Sequence, residues 1–371
     1  MKHKRLTTGI LSWDEQDILK RVTEVIKSGN LSSGKQITEF ENKVARLHGK
    51  KYGIFVNSGQ SALEVSLILA KQKLGKDKLR VLMPVNTYAA DLWAILNTGN
   101  IPIFHDIDLF NFCLPYPKMD VDCDVILPVD LCGYAAFGEK PSKGFVIEDA
   151  CQALGNRRCN YGDIICFSFY VSHHITTGCG GMLCLDDEKL VEYARSYIAH
   201  GREYGGDFTK YNNLWVDRFS FDKVGASYRG DCLHAALGLS QLKDLSSNIK
   251  QRKVNAHLLR HFLLKENWNG QVPTDAYIDR SVFQFFPLRF GHTIDRTSAL
   301  KRLYSKFNID SRVLFPLTTQ PIFKNLYGDI GNAFPSSIVV NKSGFIVGCH
   351  QDMTEDDIKY MANALIEVAD E

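Results

Sequence analysis

Short β-prone runs alternate with helical segments between Tyr52 and Ala199 of the 371-residue sequence. The predicted strands cover residues 52–56, 81–84, 101–105, 125–129, 145–147, 164–170 and 182–185. The predicted helices between them include one that ends near residue 74, one over 91–96 and one over 188–199. Strands that alternate with helices are typical of a mostly parallel sheet with helices on both faces. The sequence therefore predicts an α/β fold.

A smaller unit is predicted after this sheet. A helical pattern begins at Asp231 and continues through Leu259 and Phe262, so we expect one long helix that leads into a second domain. Strands over 282–290 and 345–347 and helices over 297–307 and 354–368 follow it. We therefore predict a large domain over residues 1–246 and a small C-terminal α+β domain over 247–371.

Two further segments have recognisable local patterns. Ser12 and Glu15 have the spacing of a capping box, which predicts a helix that stops at Gly29. Residues 203–227 are rich in glycine and aromatic residues and have weak periodicity. Loops of that length are usually functional, so we expect a functional loop there.

The charge balance and the cysteine content limit the classes of function that we expect for this protein. The 44 basic and 42 acidic residues nearly cancel, which gives no reason to expect a nucleic acid or a membrane surface as partner. No apolar segment approaches the roughly 20 residues that span a bilayer, so we expect a cytoplasmic protein. The ten cysteines form no Cys-x-x-Cys pair. We expect reduced thiols and no bound metal.

The segment after the first predicted strand carries small polar residues. Ser58, Gly59 and Gln60 lie between this strand and a helix, where free backbone N–H groups suit an anion such as phosphate. Ser58 also suits a plain helix cap, and the residues alone leave both interpretations open.

Asp149 follows another predicted strand, in the run Glu148-Asp149-Ala150-Cys151-Gln152. A carboxylate at the end of a buried strand needs a partner, because burial of an unpaired charge is costly. Asp149 suits a cap of the next turn, and it equally suits a pair with the protonated ring nitrogen of an electron-sink cofactor.

The stretch from Phe167 to Gly181 carries two adjacent histidines, His173 and His174, in a turn between two strands. Such a turn at the edge of an α/β sheet usually presents reactive groups. Paired histidines are also common in surface turns, and they have no metal-ligand spacing by themselves.

Taken together, these motifs occur in one order over nearly the whole chain. They are Gly34 with Phe40-Glu41, residues 57–63, 148–153, 167–169, 177–181, 200–202 and 235–242. In this order they resemble the DegT/DnrJ/EryC1/StrS sugar aminotransferase family. The resemblance implies the fold-type I architecture of pyridoxal-phosphate (PLP) enzymes, which is aspartate aminotransferase-like. It also implies a homodimer with active sites at the subunit interface.

The resemblance assigns roles to individual residues. Asp149 matches the partner of the pyridine nitrogen, Gln152 the residue beside the ring hydroxyl, and Tyr88 the aromatic residue on the ring face. The phosphate contacts match Ser58, Gly59, Gln60 and Ser168, together with Ser227, which the family places in the neighbouring subunit's site.

His173 occupies the position where the family's aminotransferases carry the lysine that links covalently to the cofactor. This histidine is similar to that of the family's 3-dehydratases, which remove the carbon-3 hydroxyl of nucleotide-linked 4-keto-6-deoxyhexoses. No cysteine occurs between Cys184 and Cys232, which disfavours the iron–sulfur kind and favours the kind that uses glutamate as amino donor. We therefore expect a PLP- or pyridoxamine-phosphate-dependent dehydratase of deoxysugar biosynthesis for cell-surface polysaccharide such as O-antigen. An aminotransferase and a non-catalytic homologue that binds a nucleotide sugar or the cofactor are the alternatives.

Overall fold

The computed structural model describes residues 4–9, 13–115, 121–137, 139–203 and 219–370. The helices are α1 Glu15–Ser28, α2 Lys35–Leu47, α3 Gly59–Leu74, α4 Ala89–Asn97, α5 Glu188–Ile198, α6 Cys232–Leu242, α7 Leu245–Lys265, α8 Asp275–Arg280, α9 Arg296–Phe307, α10 Pro321–Tyr327, α11 Pro335–Ser343 and α12 Glu355–Asp370. The strands are β1 Tyr52–Val56, β2 Arg80–Pro84, β3 Ile101–His105, β4 Val125–Ile126, β5 Phe145–Asp149, β6 Ile164–Ser168, β7 Gly181–Leu185, β8 Gly270–Gln271, β9 Phe286–Phe290, β10 Ser311–Val313 and β11 Gly344–Val347.

The first seven strands form one sheet in the order β1-β7-β6-β5-β4-β2-β3. Only β7 runs against its neighbours; β6, β5, β4, β2 and β3 pair in parallel. The mostly parallel sheet predicted from the sequence is confirmed. One consequence matters for function: the carboxyl ends of β1, β2, β5 and β6 lie at the same edge of the sheet.

Helices cover both faces of this sheet, as predicted. Along β1, Ile54 and Val56 share a core with residues of α3, whereas Phe55 packs on the other face with Phe40 of α2 and residues of α6. Alternation along a strand sends successive side chains to opposite faces, which explains this division.

The ends of α1 and α3 follow from their local sequence. Ser58 caps α3, since its hydroxyl accepts from the Ser61 N–H, and Gly75 ends that helix in the left-handed conformation. Helix α1 ends at Gly29 as predicted, but its cap is Asp14, whose carboxylate accepts from the Asp17 N–H. The capping box predicted at Ser12 is therefore wrong, and Ser12 itself lies outside the described residues.

The last four strands form a separate antiparallel sheet in the order β10-β11-β9-β8. All of them follow residue 247, and all strands of the larger sheet precede residue 246. The division into a large domain over 1–246 and a small domain over 247–371 is consistent with this arrangement, and the boundary itself stays a prediction.

Several predicted strands have other bounds in the structure. The strand predicted over 125–129 stops at Ile126, because Pro128 has no N–H to donate to a neighbouring strand. The strand predicted over 282–290 begins only at Phe286. The preceding residues bond to a turn instead: Val282 N–H donates to Gly133 O and Gln284 N–H to Cys132 O.

The single long helix predicted from Asp231 is also wrong, because α6 ends at Leu242 and α7 begins at Leu245. Asp244 stands at the N-cap of α7 without a capping hydrogen bond from its side chain, and aspartate is unfavourable in a helix interior. Most of the loop predicted over 203–227 lies outside the described residues.

Among the residues that the structure describes, no helix combines the length and the apolar character needed to cross a membrane.

Candidate active site

A cavity of about 380 Å³ lies at the sheet edge where β1, β2, β5 and β6 end. Of the predicted site residues, it collects Ser58, Gly59, Gln60, Tyr88, Asp149, Gln152, Ser168 and His173. These residues come from four separate segments of the chain: 58–60, 88, 149–152 and 168–173. Their convergence follows from the parallel sheet, which brings the carboxyl ends of distant strands together.

The turn before α3 forms one wall of the cavity. The N–H groups of Gly59 and Gln60 have no partner inside the helix, because the first turn lacks preceding carbonyl groups. A Cβ atom on Gly59 would lie 2.8 Å from Cβ and 3.2 Å from Oγ of Ser168. Only glycine therefore lets the turn approach the Ser168 hydroxyl this closely. Free N–H groups beside a hydroxyl are suited to bind a phosphate. The Ser58 hydroxyl caps the helix as well, so the cap and the free N–H groups occur together.

Gln60 presents its backbone N–H to the cavity, and its side chain is engaged elsewhere. Its amide Nε2 donates to Oε1 of Glu64 at 2.9 Å, so the side chain lies along α3. A side-chain contact of Gln60 with phosphate is not needed for the anion site.

Asp149 is the last residue of β5 and is buried. Its Oδ1 accepts a hydrogen bond from the Cys151 N–H at 3.0 Å. Burial raises the pKa of Asp149, while the hydrogen bonds from Cys151 lower it, and the net shift is upward. The carboxyl group lines the cavity, so a cationic ring nitrogen would supply the countercharge that the buried carboxylate lacks.

Gln152 and Tyr88 lie on other sides of the cavity. Oε1 of Gln152 accepts from the Cys132 N–H at 2.7 Å, which fixes the amide with its Nε2 donor available. An amide donor suits a phenolate oxygen. Tyr88 is the N-cap of α4, and its side chain is 66% exposed at the cavity, where a flat ring can stack on it.

His173 lies in the turn after β6, where its N–H donates to Tyr170 O at 3.0 Å. Its Nδ1 is 3.0 Å from Oε1 of Gln284, and Nε2 of the same glutamine donates to Ser172 O at 2.8 Å. Because the carbonyl of Ser172 can only accept, the amide oxygen of Gln284 faces His173. Nδ1 therefore carries the proton, and Nε2 is the basic nitrogen.

The imidazole of His173 is neutral at ordinary pH. Burial lowers the pKa of His173 to about 4, and the hydrogen bond that His173 donates to Gln284 opposes this shift only in part. A neutral imidazole at the cavity can take up a proton and pass it on.

His174 lies outside the cavity residues. Its Nε2 contacts Val282 O at 3.2 Å, and burial lowers the pKa of His174 to about 3. The two adjacent histidines therefore face different surroundings, and only His173 borders the cavity.

Gln284 and Asp91 are among the cavity residues that the sequence-based prediction did not include. Gln284 comes from the segment before β9, 111 residues away from His173, and Asp91 comes from the first turn of α4. Neither belongs to a motif with a recognisable spacing, so no sequence signal identified them. Arg312 is the cation among the described cavity residues, and these residues include no lysine.

Ser227 is not part of this cavity. It is exposed, and its carbonyl oxygen accepts from Nδ2 of Asn57 at 3.5 Å. Its predicted contact with the phosphate in a neighbouring subunit stays a prediction.

A larger surface groove of about 810 Å³ lies beside the cavity. Its lining includes four basic residues: Arg5, Arg296, Lys301 and Arg312. Arg312 lines both the groove and the cavity, so the two spaces adjoin at this side chain.

A buried acidic cluster lies elsewhere in the core. Possible ligand atoms of Asp130, Glu148 and Cys159 lie within 4.8 Å of one another. The Asp130 carboxyl accepts from the Tyr161 hydroxyl and the Ala136 N–H, each at 2.8 Å. Burial raises the pKa of Asp130 to about 6, and burial also raises the pKa of Glu148. A proton shared between the two carboxyl groups accounts for this cluster, and the expectation of no metal stays a prediction.

Known proteins of similar sequence include both lyases and transferases. The spore coat polysaccharide biosynthesis protein SpsC of Bacillus subtilis is 27% identical over 94% of each chain. The GDP-4-keto-6-deoxy-D-mannose 3-dehydratase of Yersinia pseudotuberculosis is 25% identical over 95% of this chain and 96% of its own. The GDP-perosamine synthase of Caulobacter vibrioides is 27% identical over 91% of each chain.

Solved structures share the fold over nearly the whole chain. A GDP-4-keto-6-deoxymannose-3-dehydratase, in a histidine-to-asparagine variant with bound GDP-perosamine, superimposes with a TM-score of 0.85 at 23% identity and covers 97% of this chain and 100% of its own. The Escherichia coli GDP-4-keto-6-deoxy-D-mannose-3-dehydratase with bound hydrated PLP gives 0.84 at 23% identity over 98% and 100%.

The fold and the family predicted from the sequence are thereby confirmed. The fold is that of the PLP-dependent aminotransferases, and the predicted cofactor is the one that the solved neighbour carries. The anion site at Gly59 and Ser168, the Asp149 carboxyl and the Gln152 donor fit the three polar parts of that cofactor. With a family model that matches residues 13–366, the chain belongs to the DegT/DnrJ/EryC1/StrS aminotransferase family.

Proposed function

We propose that this chain is a sugar 3-dehydratase that binds PLP or its amine form, pyridoxamine phosphate. It removes the carbon-3 hydroxyl of a nucleotide-linked 4-keto-6-deoxyhexose in deoxysugar biosynthesis, with glutamate as amino donor. The observation that carries this proposal is His173, an acid/base group that faces the cavity where an aminotransferase of the family needs a lysine.

The chain's residues would hold the cofactor by three contacts. The N–H groups of Gly59 and Gln60, with the Ser168 hydroxyl, would bind its phosphate, Asp149 would pair with its ring nitrogen, and Nε2 of Gln152 would donate to its ring oxygen. When bound, the cofactor supplies the electron sink for carbanion chemistry next to the sugar's keto carbon. Asp149 is needed for that property because it holds a proton on the ring nitrogen.

His173 moves the protons. Gln284 fixes its Nδ1–H, so Nε2 accepts a proton and later delivers one to the leaving hydroxyl group. The neutral state that burial imposes on His173 prepares it to act first as a base. A lysine in its place would bind the cofactor covalently and occupy the site.

The reaction balances with glutamate as reductant. The carbon–oxygen bond at carbon 3 breaks, and the hydroxyl leaves with a proton as water. Replacement of this hydroxyl by hydrogen needs two electrons, which the oxidation of glutamate to 2-oxoglutarate supplies. Because the sugar keeps its keto group, the amino nitrogen leaves as ammonia.

A nucleotide-linked sugar suits the surroundings of the cavity. The groove that carries Arg5, Arg296 and Lys301 adjoins the cavity at Arg312. Asp310 in the same lining pairs with Arg5, and the other basic side chains leave a net positive charge that complements a diphosphate. We place the sugar in the cavity and the diphosphate toward the groove. The dehydratase of Yersinia pseudotuberculosis, whose name specifies a GDP-linked sugar, supports this substrate class.

We also propose that the protein acts as a homodimer with shared sites. Ser227, predicted to contact the phosphate of the other subunit, is exposed and outside its own cavity. Several large apolar side chains nearby are exposed: Phe219, Phe221 and Val224. Exposed apolar side chains close to such a residue fit an interface.

The test is product analysis with 4-keto-6-deoxyhexoses linked to GDP, dTDP or UDP, in the presence of pyridoxamine phosphate and glutamate. We expect a sugar that is one oxygen atom lighter and contains no added nitrogen, with ammonia released. An amino sugar as product would identify an aminotransferase, the activity that the name of the Caulobacter relative specifies. No turnover of any substrate despite tight binding of the cofactor would favour the non-catalytic homologue.

A further inference from the structure

Asp91 is a buried carboxyl group in the cavity to which the functions above assign no role. It lies in the first turn of α4, is 1% exposed and lines the same cavity as Asp149. Its Oδ2 accepts a hydrogen bond from the Thr87 hydroxyl. Its Oδ1 is buried and receives no hydrogen bond from a donor in the described residues. A buried carboxylate oxygen without a donor is costly, so this oxygen calls for a proton.

Asp91 and Asp149 line the same cavity, and each carboxyl group is among the causes that shift the pKa of the other. Two buried carboxyl groups that interact in this way do not both ionise, and one proton is held between them. Of the two groups, Asp149 is the one that is ionised, because its Oδ1 already accepts a hydrogen bond from the Cys151 N–H at 3.0 Å. Burial, and then the charge of Asp149, raise the pKa of Asp91 well above its ordinary value. The proton therefore belongs on Oδ1 of Asp91.

Other titratable groups nearby do not compete for this role. The thiols of Cys151 and Cys166 interact with both carboxyl groups, and burial raises the pKa of each thiol, so both stay neutral. His173 and Arg312 border the same cavity. Burial keeps His173 neutral, which leaves Arg312 as a cation at the cavity.

We propose that Asp91 is a positioning residue: it stays protonated and donates a hydrogen bond to Asp149, which makes the Asp149 carboxylate less basic toward the cofactor's ring nitrogen than it would be without that bond. A carboxylate that accepts several hydrogen bonds binds a proton less tightly. The proton between Asp149 and the ring therefore stays on the ring nitrogen. This inference rests on the cofactor site of the proposed function, and it holds for dehydration and transamination alike.

Two substitutions separate a proton donor from a structural residue. In Asp91→Asn the amide NH₂ replaces the O–H donor to Asp149, and the amide oxygen still accepts from Thr87. In Asp91→Val the volume is similar and the donor is lost. The measurements are the ¹⁵N chemical shift of ring-labelled PLP bound to the protein and the dissociation constant of PLP.

We expect Asp91→Asn to keep the shift of a protonated ring nitrogen and an affinity within about threefold of wild type. Asp91→Val should move the shift toward the unprotonated form and weaken binding by about 10- to 100-fold, as for a lost hydrogen bond to a charged group. An asparagine variant as impaired as the valine variant would overturn the proposal. A valine variant indistinguishable from wild type would overturn it as well.

Infrared spectroscopy of the cofactor-free protein gives a second readout if the valine variant does not fold. At neutral pH the difference spectrum between wild type and Asp91→Asn should show the carbonyl band of a protonated carboxyl group. The Asp130 and Glu148 cluster is present in both proteins and cancels. Absence of this band would contradict a protonated Asp91. Failure of the dehydratase assay leaves these readouts unaffected, so the two proposals fail separately.

Discussion

His173 combines a neutral imidazole, a fixed tautomer and a position at the cavity. Gln284 sets the tautomer through a contact of 3.0 Å, and the carbonyl of Ser172 orients that glutamine at 2.8 Å. His174 is also neutral, but its ring bonds to Val282 O outside the cavity, so it differs from His173 in position. The two neighbours therefore provide a matched pair for mutagenesis.

Replacement of His173 by asparagine should lower the dehydration rate by about 10²–10⁴-fold, because the proton carrier is lost. Binding of PLP should change little, since Gly59, Ser168 and Asp149 hold the cofactor. Turnover and a spectroscopic PLP titration measure the two effects. His174→Asn is the control and should keep activity within a few-fold. Full activity in His173→Asn, or equal damage from both changes, would contradict the role given to His173.

The sequence predicts those cavity residues well that lie at or near the ends of strands. Asp149, Ser168 and His173 follow β5 and β6 closely, so the order of strands alone brings them together. Gln284 and Asp91 were not predicted, because their roles depend on contacts with residues far along the chain. A single chain does not show the role of Ser227, because the phosphate that it is predicted to contact lies in the site of another subunit.

At the scale of elements, His48 ties the end of α2 to the loop after β5. Its Nδ1 donates to Cys159 O at 2.9 Å, and its Nε2 accepts from the Gly155 N–H at 3.0 Å. The ring is 2% exposed and packs on Phe167 with 4.5 Å between centroids. Burial lowers the pKa of His48 to about 4.

His48→Phe should reduce the free energy of unfolding at pH 8 by about 2–4 kcal/mol, because two buried backbone groups lose their partners. The contribution of His48 is complete above its unfolded pKa of about 6.5 and is lost as pH falls toward 4. The difference between the two proteins should therefore shrink below pH 6.5.

Denaturant unfolding between pH 8 and pH 5 measures this difference, since the other histidines are common to both proteins. The exposed His292 provides a control, and His292→Phe should change stability by less than about 0.5 kcal/mol. A difference that stays constant or grows toward pH 5 would contradict a neutral buried His48.

Periodicity predicts the type of most elements correctly and their ends less well. The helices and strands of the larger sheet lie where apolar patterns place them. Pro128 shortens β4 and Asp244 separates α6 from α7, because single residues that lack a donor or prefer a cap override the surrounding pattern.

At the scale of the whole molecule, residues 235–241 of the family motif over 235–242, where the dimer expectation places part of the subunit interface, are largely buried inside the chain. Ala235 and Leu239 of α6 pack with Phe40 and Val44 of α2. These residues therefore do not support the dimer expectation. The exposed segment with Val224, whose side chain is 90% exposed, is the better candidate for an interface.

Val224→Lys should convert a dimer into a monomer in sedimentation velocity, because a charge replaces an apolar contact. The site should then lose the contribution of Ser227 from the partner, and PLP should bind more weakly. Val254→Lys, on an exposed face of α7, should leave the dimer intact. A wild-type protein that sediments as a monomer and still binds PLP tightly would refute the shared-site dimer.

The central claim is that a histidine in place of lysine directs this member of the family to dehydration. The fold alone does not decide it, since the known relatives of similar identity include a dehydratase and a perosamine synthase. The decisive event is cleavage of the bond between carbon 3 of the sugar and its oxygen.

The most direct measurement is release of ¹⁸O from a nucleotide-linked 4-keto-6-deoxyhexose labelled at the carbon-3 hydroxyl. With PLP and glutamate present, wild type should transfer the label to water at the rate at which 2-oxoglutarate forms, and His173→Asn should release almost none. Retention of the label in an amino-sugar product, while 2-oxoglutarate accumulates, would contradict the account.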